Sequence, residues 1–282
     1  MPGMKWTFMS LQILDEGRSG KMTFAEMFPR ARAAGFVAYD ASDMDAEFAD
    51  REEVLRLCRE NGLKIADYIH WIHMATPDDK ALEAVIESGK QAVHTALAHG
   101  TKMLMIVEQV NRHDLKKLTR QEASRRMGCA LREIVNYADK FGVTVMVEDF
   151  PVPALPMSTS DEMKALLDAA PGLQLILDTG NMLAQKEDPL HFYQALKGHY
   201  AHVHLKDIEY PENATTGDID CDGRHIWNAQ HGEGVVNFAA LLPDLKQDGF
   251  DGYVTVEYGP HEGTKDHFEK MAESIRYLEG LL

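Results

Sequence analysis

Val143-Thr-Val-Met-Val-Glu148, Leu173-Gln-Leu-Ile-Leu-Asp178, Ala201-His-Val-His204-Leu-Lys-Asp207 and Gly252-Tyr-Val-Thr-Val-Glu257 follow one another along the second half of the chain. Each run is short, rich in branched aliphatic residues, and stops at a group that can bind a metal or move a proton. Aliphatic runs of this length suit strands buried on both faces of a parallel α/β sheet. The carboxyl ends of such strands are where ligands bind and chemistry takes place.

Alternation sharpens the reading, because residues two apart in a strand share a face. One face collects Glu148/Met146/Thr144, Asp178/Ile176/Gln174, His204/His202 and Glu257/Thr255/Tyr253. The other collects Val147/Val145/Val143, Leu177/Leu175/Leu173, Val203/Leu205 and Val256/Val254. The aliphatic face is fit to pack against helices. If the sheet closes on itself, the mixed face becomes the barrel interior and the four polar ends converge on its axis.

Working outward, strand-like and helix-like runs alternate along the whole sequence. Trp6–Met9, Gly35–Asp40, Leu63–His70 and Met103–Glu108 read as the first four strands. Helices are predicted over Thr23–Ala34 (weakened by Pro29), Asp50–Asn61, Lys80–His99 and Arg120–Phe141. Gly62, Gly100 and Gly142 stop the last three of these in the way helix C-termini favour. In the second half, helices are predicted near Ser160–Ala169, Pro189–Lys197, Asn237–Gln247 and Lys265–Leu281. Eight β/α units with no linker between them predict a single (β/α)8 barrel domain over 1–282. An open doubly wound sheet is the other architecture for this alternation, but no GxGxxG or P-loop supports it. The stretch Asp207–Val235 is predicted as a long loop, and its length suggests a lid.

Composition narrows the class. The formal net charge is −16, which opposes the binding of nucleic-acid phosphates. Three scattered cysteines, Cys58, Cys129 and Cys221, form no disulfide framework and no zinc knuckle. The N-terminal Met1-Pro-Gly-Met-Lys-Trp-Thr-Phe carries no signal-like apolar stretch, and no run is long enough to cross a membrane. The expectation is a cytoplasmic protein with a small-molecule partner, neither nucleic acid nor membrane, assembled as a homodimer or homotetramer.

Val-Glu148-Asp, Leu-Asp178-Thr-Gly-Asn181, His202-Val-His204-Leu-Lys-Asp207, Gly232-Glu-Gly234 and Val-Glu257 together resemble the xylose isomerase-like TIM barrels, within them the sugar phosphate isomerase/epimerase group. That group includes ketose 3-epimerases, hydroxypyruvate isomerase, and inosose and 3-dehydroshikimate dehydratases; endonuclease IV is a more distant member. The resemblance implies that Glu148, Asp178, His204 and Glu257 bind one divalent metal. Three carboxylates and an imidazole suit Mn²⁺, Mg²⁺, Co²⁺ or Zn²⁺. It further implies a carbohydrate substrate and proton abstraction next to a carbonyl, with Glu148 and Glu257 as the acid–base pair on strands expected to face each other across the barrel. Isomerisation, epimerisation and dehydration all pass through the same kind of enediolate, so a lyase is the alternative activity. Many ketose epimerases carry a histidine where Asn181 stands, which weakens a free-ketose epimerase reading. An endonuclease IV-like activity would need several further histidines and sits badly with the acidic charge.

Further candidates come from position. His70 and Glu108 end strands three and four and are expected to touch substrate. Lys206 and Arg224 are candidates for substrate oxygens or anions. Trp71 and His73 are expected to form a wall, and Trp227 and His231 to belong to the lid. His202 reads as a core histidine bonded to a ligand carboxylate. His94, His99 and His191 read as surface residues on helices.

Overall fold

The computed structural model describes residues 4–13, 17–18, 20–258 and 266–282. Eight parallel strands close into a barrel: β1 (Lys5–Met9), β2 (Ala38–Ser42), β3 (Lys64–Ile72), β4 (Met103–Glu108), β5 (Thr144–Glu148), β6 (Gln174–Asp178), β7 (Tyr200–Leu205) and β11 (Tyr253–Val256). They run around the barrel in chain order, and β11 closes it against β1 through the pairs Lys5↔Tyr253 and Thr7↔Thr255. Helices connect them, as the alternation predicts. The longest are Asp79–Ala98 and Arg120–Asp139, capped by the side chains of Asp78 and Thr119, which accept the backbone N–H groups of Ala81 and Glu122.

Two packing regions follow from the period-2 pattern. The outward aliphatics, among them Val145, Val147, Leu175, Leu177, Val203 and Val256, are buried against the helices in one continuous core. Inside the barrel a smaller apolar plug forms from Met9, Ile69, Met105, Val107, Met146 and Ile176. The plug occupies only part of the interior. Thr7, Asp40, Asp67, His202 and Thr255 are also fully buried on inward-facing positions.

Several boundaries differ from expectation. The second strand begins at Ala38, because Phe36 is used as a fully buried anchor in the turn after Phe24–Ala34. Pro29 lies inside that helix, which continues through it. The third strand runs past His70 to Ile72. The last helix spans His267–Glu279, and Lys265, its expected start, lies outside the described residues. His99 is not a surface residue: it is 8% exposed and stacks on Tyr68 with ring centroids 4.7 Å apart.

The stretch Asp207–Val235 has structure of its own. It folds into a three-stranded antiparallel sheet of β8 (Asp207–Glu209), β9 (Asp218–Ile219) and β10 (His225–Ala229), ordered β8-β10-β9. Ile208 and Ile226 pack on Ala184 of the short helical turn Asn181–Gln185. The Asp207 carboxylate holds the far end, accepting N–H groups from Gly232 (2.9 Å), Gly234 (3.0 Å) and Val236 (3.0 Å). His231 is anchored, not mobile: it is buried between Ser274 Oγ (2.9 Å) and the Leu205 carbonyl (2.7 Å). Gly234 is explained by this close approach, since a Cβ there would lie 2.2 Å from Asp207 Oδ1 and 2.4 Å from the Ile208 carbonyl oxygen. Gly234→Ala is therefore expected to destabilise the fold by about 1–3 kcal/mol, the usual cost of forced overpacking. Thermal unfolding checks this, and an unchanged midpoint would contradict the role given to Asp207.

Candidate metal centre and active site

The four strand-end groups converge. Ligand-capable atoms of Glu148, Asp178, His204 and Glu257 all lie within 4.8 Å of one another. Each is placed by local backbone structure. Asp178 ends β6 and its Oδ1 accepts the N–H groups of Gly180 (2.7 Å) and Asn181 (2.9 Å), a turn that Asp favours. Glu257 follows β11 directly, and its own N–H still donates to the Leu205 carbonyl at 2.8 Å. His204, on β7, turns Nδ1 toward both glutamates, 3.1 Å from Glu148 Oε2 and 3.4 Å from Glu257 Oε2. Strands β5 and β11 are not diametrically opposed. Only β6 and β7 separate them, so the two glutamates flank His204 and Asp178.

Lys206 completes the cluster. Its Nζ lies 2.6 Å from Glu257 Oε1, 3.1 Å from Asp178 Oδ2 and 2.9 Å from Asn181 Oδ1. Gly180 lets its stem pass, since a Cβ there would meet Lys206 Cγ and Cδ at 2.9 Å. Asn181 is fixed in turn by donating from Nδ2 to the Asp149 carbonyl at 2.9 Å.

Charge does not balance within this cluster. Burial pushes the Asp178 carboxyl up to about 7, against the pull of Lys206. Burial also opposes ionisation of Glu257, but Lys206 and His204 outweigh it and hold that carboxyl below its usual range. His204 is raised well above the ordinary imidazole value: burial opposes its charge, but its contact with Glu148 prevails. Even with His204 protonated, Lys206 and His204 supply two positive charges against three converging carboxylates, and Asp178 Oδ2 meets the Lys206 ammonium at 3.1 Å without a well-aligned hydrogen bond. A buried carboxylate oxygen held only by that ion pair, in a set of three carboxylates and one imidazole, fits a divalent cation.

A cleft opens above these groups. Its floor is lined by Met9, Ser42, Ile69, Trp71, Met105 and Val107 beside Glu148, His204 and Glu257. It adjoins a cavity of about 420 Å³ lined by Asp43, Met44, Ala46, Glu47, Trp71 and Gln109. Trp71 and Met44 belong to both, and Trp71 is the wall that its position in sequence suggested.

The remaining candidates are placed elsewhere. His70 faces the helices, its Nδ1 2.6 Å from Asp43 Oδ2 and its Nε2 2.9 Å from Ser88 Oγ. Glu108 also points outward, fully buried, accepting from the Met74 N–H (2.8 Å) and pairing with His73 Nδ1 (2.9 Å). It organises the turn after β3, and His73 is spent on it. Arg224 donates to Asp220 Oδ2 at 3.0 Å and lies over the Tyr210 ring, within the small sheet. Trp227 donates to the Thr216 carbonyl. Among the described residues, no side chain of 207–235 lines the cleft or its adjoining cavity. His202 is a core histidine, but its partner is Thr255 Oγ1 at 2.7 Å and not a ligand carboxylate. The cleft wall from β1 and β2 went unnoticed in the sequence because Met9 and Ser42 carry no charge to mark a strand end.

The sequence pattern defining the family described as xylose isomerase-like TIM barrel matches residues 21–281. L-ribulose-5-phosphate 3-epimerase UlaE of Escherichia coli (strain SE11) is 26% identical over 241 residues, covering 81% of this chain and 80% of that protein. Inosose dehydratase of Lacticaseibacillus casei is 19% identical over 233 residues, covering 78% and 77%. Among solved structures, the IOLI protein with a bound zinc atom superposes with a TM-score of 0.77 at 18% identity, covering 98% of this chain and 96% of that one.

Proposed function

The chain belongs to the xylose isomerase-like TIM barrel family, and from that premise we propose that it is a metal-dependent carbohydrate isomerase or epimerase that moves a proton next to a carbonyl. The observation that carries this reading is the pair Glu148 and Glu257, held on either side of His204 Nδ1 beneath a narrow cleft of about 30 Å³ that adjoins the larger cavity at Trp71. A sugar epimerase among the similar proteins supports the substrate class. The zinc of a protein with the same fold supports a divalent ion, with Mn²⁺, Mg²⁺ and Co²⁺ as the other candidates.

Glu148, Asp178, His204 and Glu257 would hold that ion, which would supply Lewis acidity toward a substrate carbonyl and its neighbouring hydroxyl. Glu148 and Glu257 do the proton work. One, as the carboxylate, removes the proton from the carbon next to the carbonyl, and the other, as the carboxylic acid, returns one, to the opposite face in an epimerisation or to the neighbouring carbon in an isomerisation. Lys206 Nζ, between Asp178 and Glu257, places a fixed positive charge where negative charge develops on a substrate oxygen. Trp71 and the methionines of the cleft floor keep water from the carbanion-like intermediate. The deciding experiment is incubation of the metal-loaded protein with panels of ketoses, ketose phosphates and keto-polyols in D₂O. Deuterium entering the carbon next to the carbonyl is the expected result. Deuterium-free substrates across every panel, with no turnover, would refute the reading.

A dehydratase is the second reading. Asn181 stands where many epimerases have histidine, and inosose dehydratase is among the similar proteins. There, Lys206 would protonate the departing β-hydroxyl after the same proton removal. Loss of water from a keto-polyol in the same panel distinguishes it.

The Asp178 carboxyl adds a pH signature. It is raised to about 7 by burial, so protons compete with the cation below that value. Metal affinity is expected to rise with pH through 7 and beyond, as first the Asp178 carboxyl and then the His204 imidazolium give up their protons, with proton release on loading at pH 6. Titration calorimetry in buffers of different ionisation enthalpy reads this. Affinity independent of pH between 6 and 8 would contradict it.

A further inference from the structure

Two residues below the mouth, the barrel interior holds a second set of ligand-capable groups. Asp40 on β2, Asp67 on β3 and His202 on β7 are each 0% exposed and offer atoms within 4.8 Å of one another. They come from the inward faces of three strands, in the same alternation as the mouth groups. Asp67 shares its face with Ile69 and Trp71, and His202 shares its face with His204.

Hydrogen-bond accounting shows what this set lacks. The hydroxyls of Thr7 (2.7 Å) and Thr255 (2.9 Å) both reach Asp40 Oδ2 and lie 2.8 Å from each other. When Thr255 gives its one proton to Asp40, His202 Nε2, 2.7 Å from Thr255 Oγ1, is the donor in that contact. Neutral His202 then carries a bare lone pair on Nδ1. Asp40 Oδ1, both oxygens of Asp67 and His202 Nδ1 have no hydrogen-bond partner. Four buried acceptors without one donor are a large deficit, since a buried polar atom left unmade costs about 1–3 kcal/mol and a charged one more. The apolar plug of Met105, Met146 and Ile176 supplies no donor from the other side of the interior.

We propose that Asp40, Asp67 and His202 form a second metal site, taking a divalent cation on the barrel axis beneath the mouth centre. Two carboxylates balance a charge of +2, and the oxygen and imidazole set suits first-row ions such as Mn²⁺ or Zn²⁺. The site lies roughly 6–7 Å below the mouth, the rise of two strand residues. It is structural: its ion fixes the His202 ring, which packs edge-on against the mouth ligand candidate His204 with centroids 5.2 Å apart. The competing occupant is a proton shared by the two aspartates. Burial, followed by the Asp40 charge, drives the Asp67 carboxyl far above its ordinary range when no cation is present.

The inference does not depend on the proposed activity, and metal stoichiometry tests it without any substrate. Protein from Mn²⁺-supplemented cells is assayed for total bound divalent metal, alongside Asp67→Asn and His204→Ala. Two equivalents per chain are expected in the wild type and one in each variant. One equivalent that survives in His204→Ala and vanishes in Asp67→Asn would uphold this site and remove the mouth centre instead. One equivalent in the wild type that is kept in Asp67→Asn would overturn the proposal in favour of the shared proton. If Asp67→Asn does not fold, an anomalous difference map of the wild-type crystal decides the matter: a peak among Asp40, Asp67 and His202 supports the site, and its absence overturns it.

Discussion

Glu148→Gln and Glu257→Gln should each lose about 10²–10⁴-fold in turnover, the usual contribution of a general acid or base. Each change keeps the side-chain length and one carbonyl oxygen able to face a cation, but removes the proton acceptor. Bound metal should therefore remain substantial while turnover collapses. The two variants need not fall equally. Glu257 is also paired to Lys206 at 2.6 Å, so its replacement frees that ammonium to turn fully toward Asp178. Steady-state kinetics with parallel metal analysis reads both effects. Normal turnover in both variants would end the two-glutamate mechanism, whatever the metal content.

Removal of the imidazole should act on metal first. His204 is 1% exposed and is the only nitrogen among the four mouth groups. His204→Ala should weaken metal binding at the mouth by more than the roughly 10–100-fold that loss of a ligand's outer partner produces. Activity should fall with it and return in part at high metal concentration. Chelation of the wild type should give the same loss, reversed by adding the ion back. Full activity of the chelated protein would show that no metal takes part.

The fold was legible because two periodicities agreed. Strand-length aliphatic runs ended at regular intervals in Glu148, Asp178, His204 and Glu257, and each run had one face fit for helices and one face of mixed chemistry. The same rule misled on the other side of the barrel. On β4 both faces are apolar, so alternation gave no sign that Glu108 shares the outward face with Leu104 and Ile106. On β3 the aliphatic run points to an end at His70, one residue short of Trp71, which is the residue that lines the cleft. A one-residue difference in where a strand stops reverses the face of its last side chain.

The interior polar layer was hidden for a related reason. Asp40 and Asp67 interrupt strands whose neighbours are hydrophobic, and nothing local says that β2 and β3 bring them to His202. The small sheet of 207–229 was equally invisible. It depends on Asp207 capturing N–H groups 25 to 29 residues away, a contact that the tertiary fold makes. In the sequence, the paired glycines of Gly232-Glu-Gly234 are legible only as a motif. The structure explains Gly234 as room for that carboxylate.

A divalent ion held by Glu148, Asp178, His204 and Glu257 is what the proposed chemistry requires. Crystals grown with Zn²⁺ and measured on both sides of the zinc absorption edge reveal that ion. The expected result is an anomalous peak bounded by these four side chains, with oxygen and nitrogen ligands at about 2.0–2.2 Å. A map with no peak there, and Lys206 Nζ still the only cation between Asp178 and Glu257, would contradict the account.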